Sequence, residues 1–104
     1  MNQFLYKLRP LRPEMLSQGP TPQEASAVEA HFAYLSRLKD EGKVAMAGRT
    51  LTEDEHTFGI VIVLAESQEE ALKLMEFDPA VSEGVMGAEL FPFRVALWGD
   101  DPRS

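Results

Sequence analysis

The stretch Phe58-Gly59-Ile60-Val61-Ile62-Val63-Leu64 is the most continuously apolar and β-branched run of the chain. Phe58, Ile60, Ile62 and Leu64 point one way and Val61 and Val63 the other, so both faces are apolar and the run reads as a central strand. Just beyond it, Ser67-Gln68-Glu69-Glu70 signals a helix start, with Ser67 as cap and Glu70 in the capping-box position. Ala71, Leu74 and Met75 then form the buried stripe of that helix. Phe77-Asp78-Pro79 ends it, because the residue before a proline avoids the helical region. Residues 80–84 read as a turn or one extra helical turn. Residues 86–98 read as a long last strand, and Pro92 within it points to a sheet edge.

Upstream, Phe4, Tyr6 and Leu8 alternate with Leu5, Lys7 and Arg9, which predicts a first strand. Residues 10–20 hold Pro10, Pro13, Gly19 and Pro20 around Met15-Leu16 and read as a loop long enough to be a lid or a binding segment. Thr21-Pro22-Gln23-Glu24 starts a helix: Thr21 caps, Pro22 takes the first position and Glu24 completes a capping box. This helix should run to about Glu41, with Gly42 supplying the left-handed C-terminal turn. Residues 43–49 read as a second strand and residues 51–56 as a polar, acidic connection. The order β-α-β-β-α-β predicts an α+β, ferredoxin-like fold over a single domain, 1–104. Its four-stranded antiparallel sheet has strands one and three central and both helices on one face. Residues 99–104 read as a loose polar tail.

A chain of 104 residues with 44% hydrophobic content can bury one modest core. The net charge of −7 argues against a nucleic-acid partner, since phosphate neutralisation needs clustered Lys and Arg and the ten here are scattered. Without cysteine, disulfides, thiolate nucleophiles and Cys-ligated zinc are excluded. The first residues lack the basic head and apolar run of a signal peptide, and the strongest apolar run is far too short to cross a bilayer. A cytoplasmic protein with no membrane partner is expected. A sheet covered by helices on one side should be polar on the other, yet this one is apolar on both. A homodimer packed through the helix-free face follows.

The candidate chemistry lies in the first long helix. Val28, Phe32, Leu35 and Leu38 make one apolar stripe, and His31 falls inside it. The plainest reading is a core histidine satisfied by a backbone carbonyl; a partner for the ring changes that reading. Asp78 lies four residues after Leu74 on the stripe of the second helix. The topology lays the two helices side by side, which brings Asp78 within hydrogen-bond reach of His31. A carboxylate on one imidazole nitrogen fixes the tautomer and leaves the other nitrogen free to move a proton. Arg49, after Gly48 at the end of the second strand, can hold an anionic group in a bidentate contact. Tyr6, Arg94 and Ser82 are further candidates for a pocket wall. His56, among Glu53, Asp54 and Glu55, reads as a solvated loop residue, and no spacing matches a metal site. Neither a P-loop, a dinucleotide glycine fingerprint nor a nucleophile elbow is present.

His31-Phe32-x-x-Leu35-x-x-Leu38-x-x-x-Gly42, Ala47-Gly48, Ser67-x-Glu69-Glu70-Ala71, Asp78-Pro79-x-Val81-x-x-Gly84-Val85 and Pro92-Phe93 follow one another in order. Over nearly the whole chain this series resembles the YciI-like (YCII-related) proteins. The resemblance implies a dimeric α+β barrel built from ferredoxin-like subunits, with an active-site His and Asp falling on His31 and Asp78. Gly48-Arg49 departs from the usual Gly-Pro of such proteins and changes one wall of the pocket. Similar barrels include muconolactone isomerases and cofactor-free monooxygenases, and some YciI-like proteins resemble dehydrochlorinases of hydroxylated aromatics.

Together these features point to acid–base chemistry on a small, cyclic or aromatic substrate, of isomerase, dehydrochlorinase or related lyase type. No cofactor and no metal are expected. Catalytic roles fall to His31 and Asp78, and substrate contacts to Arg49, Gly48 and Tyr6. The alternative is a small-ligand binding or accessory dimeric module in which the His–Asp pair only ties two helices together.

Overall fold

A computed structural model describes residues 1–100 of the chain. Its elements are β1 (Asn2–Pro10), α1 (Glu14–Ser17), α2 (Pro22–Asp40), β2 (Val44–Arg49), β3 (Gly59–Ala65), α3 (Gln68–Glu76), α4 (Pro79–Ser82) and β4 (Met86–Phe93). The strands form one antiparallel sheet in the order β2-β3-β1-β4. Each long connection spans a strand: β1–α2–β2 passes over β3, and β3–α3–β4 passes over β1. This is the ferredoxin-like α+β topology, with the most apolar strand in the interior and the proline-bearing strand at an edge.

Alternation divides the sheet cleanly. Phe4, Tyr6 and Leu8 of β1 and Val61, Val63 and Ala65 of β3 are buried against Leu35 and Leu38 of α2 and Ala71 and Met75 of α3. The other face carries Leu5, Ile60, Ile62, Leu64, Phe91 and Phe93, in the register Leu5↔Ile62 and Leu5↔Phe91. No helix covers it, and Phe91 and Phe93 are each 41% exposed.

Helix ends follow local chemistry. Thr21 and Glu24 make a reciprocal capping box for α2, and Gly42 takes the positive φ that lets the chain turn out of it. At α3 the Ser67 side chain accepts from the Glu70 amide at 3.1 Å, but the Glu70 carboxylate reaches the Glu66 amide instead of the cap. The Tyr34 hydroxyl donates to the Leu74 carbonyl at 2.7 Å and pins α2 to α3. No helix among the described residues is long and apolar enough to cross a membrane.

Three expectations need correction. The 10–20 segment is not wholly loop: Pro13, with φ fixed near the helical value, starts the single turn α1, which buries Met15. The last strand stops at Phe93 rather than residue 98, because its register partner there is Gln3 and β1 begins one residue earlier. Beyond that point no strand remains to pair with, and Leu97 and Trp98 are exposed. Asp78 is not a continuation of the α3 stripe: α3 ends at Glu76, and Asp78 is an extended residue that caps α4. Of the expected tail 99–104, residues 101–104 lie outside the described residues.

Candidate functional site

Asp78 is held where it is by the proline that follows. Pro79 keeps Asp78 extended and opens α4, and the Asp78 Oδ1 accepts from the Ala80 amide at 3.0 Å. The carboxylate is thereby turned inward, with no exposure to solvent. Two further groups converge on it. The Tyr6 hydroxyl, at the centre of β1, donates to Oδ2 at 2.7 Å. His31 of α2 presents Nδ1 to both oxygens, at 2.7 and 2.8 Å. Among the described residues no buried side-chain polar atom lacks a partner.

This arrangement assigns the protons. Burial and the facing carboxylate hold the Tyr6 phenol far above its ordinary value, so the hydroxyl keeps its proton and serves as a donor. The Ala80 amide is a donor by nature. An ionised Asp78 can only accept, and with two neutral donors already on it the third contact is then made by a hydrogen on His31 Nδ1. In the neutral ring Nε2 then carries a lone pair. Nε2 makes no hydrogen bond to any described residue, and the His31 side chain keeps 16% exposure. The pair presents a base, backed by a buried negative charge.

His31 lines a cavity of about 370 Å³ between the helix-covered side of the sheet and α2, and Nε2 is the ring nitrogen left free for it. Leu8, Val61, Val28, Leu35 and Phe32 make apolar walls, and Met15 and Leu16 of the α1 segment close one side. The volume suits a single substituted ring. Arg49, Gly48 and Thr57 also line it. The Thr57 hydroxyl is already engaged with the Thr52 carbonyl, so His31 and Arg49 remain as the side-chain groups able to address a ligand.

The site residues read from the sequence therefore separate into two layers. His31, Gly48 and Arg49 meet at the cavity, with Asp78 directly behind His31. Tyr6 does not reach the cavity; it is fully buried behind Asp78. The signal for that position was its place in β1, on the same side as Phe4 and Leu8, where a phenol must find an acceptor. Arg94 lies at a shallow groove with Met1 and Phe93, and Ser82 ends α4, both away from the cavity. Asp54, Glu55 and His56 stand close together on the surface, all exposed, with the His56 Nδ1 3.4 Å from Asp54.

Comparisons with known proteins place this geometry in context. No curated protein matches the sequence significantly. Among solved structures, the 5-chloro-2-hydroxyhydroquinone dehydrochlorinase TftG from Burkholderia phenoliruptrix AC1100, in complex with 2,5-dihydroxybenzoquinone, is similar at 26% identity and a TM-score of 0.62. The similarity covers 88% of this chain and 93% of that one. The ligand-free regulatory subunit of aspartate kinase from Thermus thermophilus matches at 19% identity and a TM-score of 0.48, over 88% of this chain and 51% of that one. That likeness is too slight to carry an argument. The family model of the YCII-related domain matches residues 8–94, a span that takes in His31, Arg49 and Asp78. The chain belongs to the YCII-related domain family.

Proposed function

We propose that this protein is an enzyme that moves a proton on a small ring compound, with His31 as general base and then general acid. The observation that carries the reading is the fully buried Asp78 bound to Nδ1 of a His31 that lines an apolar cavity of single-ring size. In the first step a proton passes from an acidic C–H or O–H of the substrate to Nε2, giving an imidazolium against the Asp78 carboxylate. The proton then either returns to another substrate atom, an isomerisation, or is released while a leaving group departs with the electron pair, an elimination. The low-dielectric walls strengthen the charge–charge contact between Asp78 and the imidazolium during the step. His31 and Asp78 supply this proton transfer by themselves, without a cofactor.

Dehydrochlorination of a hydroxylated aromatic, the activity of the similar TftG, is the elimination form of this chemistry and guides the choice of test. The experiment offers the protein 5-chloro-2-hydroxyhydroquinone with chloride release as the readout, and unchlorinated hydroxyhydroquinone in D2O with loss of ring-proton signal as the readout. Catalysis of either process above the protein-free rate supports the reading. Absence of both, together with absence of 2,5-dihydroxybenzoquinone binding by calorimetry, contradicts it. The working unit proposed is a homodimer joined through the helix-free sheet face, where Phe91 and Phe93 are each 41% exposed.

A further inference from the structure

β2 departs from regular alternation, and the departure decides what the cavity can hold. In an unbroken strand Val44, Met46 and Gly48 would share the helix-covered side, and Arg49 would face away from the cavity. The register instead pairs Val44 with Val63 and Met46 with Ile62, so one extra residue enters between them. Past this bulge the phase is reversed: Ala47 stands opposite Val61 and Arg49 opposite Gly59, on the helix-covered side. Gly59 leaves the space beside Arg49 open. A Cβ there would sit 3.8 Å from the Arg49 Cβ and 3.2 Å from the Gly48 carbonyl oxygen.

Among the described residues no acidic side chain engages the guanidinium. Its Nε donates to the Thr50 carbonyl at 3.1 Å, which orients the group and leaves the two terminal nitrogens as a fork. None of the ion pairs among the described residues involves Arg49. This holds in a chain of net charge −7, with Glu53, Asp54 and Glu55 only a few residues further on. Arg49 is exposed and lines both this cavity and a smaller groove with Met46 and Thr50, so its guanidinium stands at the cavity's open side. A guanidinium there can meet a planar anionic group in two parallel hydrogen bonds, the geometry for which arginine is suited and lysine is not.

We infer that the cavity takes a small ring compound bearing an anionic oxygen, a carboxylate or an ionised ring hydroxyl, held by Arg49 while the ring lies before His31. The inference rests on reading the cavity as a small-molecule site and adds the charge of the molecule.

The test is a calorimetric titration of two matched pairs of probes into the wild-type protein, Arg49→Gln and Arg49→Lys. One pair is benzoate and benzamide; the other is 2,5-dihydroxybenzoquinone and 2,5-dimethoxybenzoquinone. The wild-type protein is expected to bind the anionic member of at least one pair tenfold or more tightly than its neutral counterpart. The preferred pair identifies the oxygen as carboxylate or ring hydroxyl. Arg49→Gln should abolish the preference, and Arg49→Lys should restore part of it. Equal binding of charged and neutral probes, or a preference unchanged in Arg49→Gln, overturns the inference and leaves the acid–base reading standing. Failure of all four probes to bind overturns the inference, and overturns the acid–base reading as well when neither hydroxyhydroquinone process is catalysed.

Discussion

Three residues from three elements share one proton arrangement, and each has a separable task. Asp78 supplies charge, His31 carries the mobile proton, and Tyr6 fills the last position around the carboxylate. The hydroxyl of Tyr6 helps keep Asp78 an acceptor, so its loss should loosen the tautomer of His31. In Tyr6→Phe, nitrogen-15 NMR of the imidazole should show Nε2–H appearing beside the Nδ1–H form that alone is expected in the wild type. The same variant should lose about 2 kcal/mol of unfolding free energy, since the bond removed is buried and made to a charged group. An unchanged tautomer would show that the Ala80 amide and α4 suffice to hold Asp78. The His31–Asp78 pairing was legible from the core-facing place of His31, but Asp78 reaches it as the cap of α4 and not along the α3 stripe that the sequence suggested. Tyr6 was harder to place. A tyrosine in an alternating strand is ordinary, and nothing nearby in the sequence shows that its acceptor lies 72 residues away.

At the scale of elements, the cavity depends on two features that alternation alone did not disclose. One is the β2 bulge. Residues 43–49 contain so many small side chains that a reversal of phase leaves no mark in the pattern. The other is the segment between β1 and α2, which lays Met15 and Leu16 over the cavity. Arg12 latches that segment, donating to both carboxylate oxygens of Glu24 at 2.9 and 2.5 Å and to the Gly19 carbonyl. Glu24 belongs to the α2 capping box as well, so the strap and the helix start are fastened at one carboxylate. Hydrogen bonding from Arg12, then from the Thr21 amide, lowers the Glu24 carboxyl from 4.5 to about 2. Unfolded chains take up this proton near 4.5 and the folded chain only near 2. The stabilisation is therefore fully present above pH 4.5 and fades as pH falls towards 2. Glu24→Gln should be less stable than the wild type at neutral pH, and that difference should shrink across this window in denaturant melts. A constant difference from pH 6 to pH 2 would contradict the assigned latch.

For the whole molecule, the order of strands and the side on which the helices lie follow from the hydrophobic patterns of β1 and β3 and from two capping signals. This is why the topology is legible from residues such as Val61, Ser67 and Thr21. Strand lengths could not, because the end of β4 is set by where β1 begins. The helix-free face carries Leu5, Ile60, Leu64, Phe91 and Phe93, which suits a second sheet stacked face to face. Sedimentation should give about twice the chain mass of 11.6 kDa. Phe91→Glu should shift the protein towards the single-chain mass with its circular dichroism retained. A wild-type protein that sediments as a single chain at all concentrations would remove the proposed assembly.

The central claim, that His31 moves a substrate proton with Asp78 behind it, is tested most directly by comparing wild type and His31→Gln on the hydroxyhydroquinone probes. The account predicts that turnover falls by on the order of 10²–10⁴ while the circular dichroism spectrum is unchanged, since positioned acid–base catalysis has that magnitude and glutamine keeps a polar group near Asp78. Turnover in His31→Gln equal to that of the wild type would contradict it.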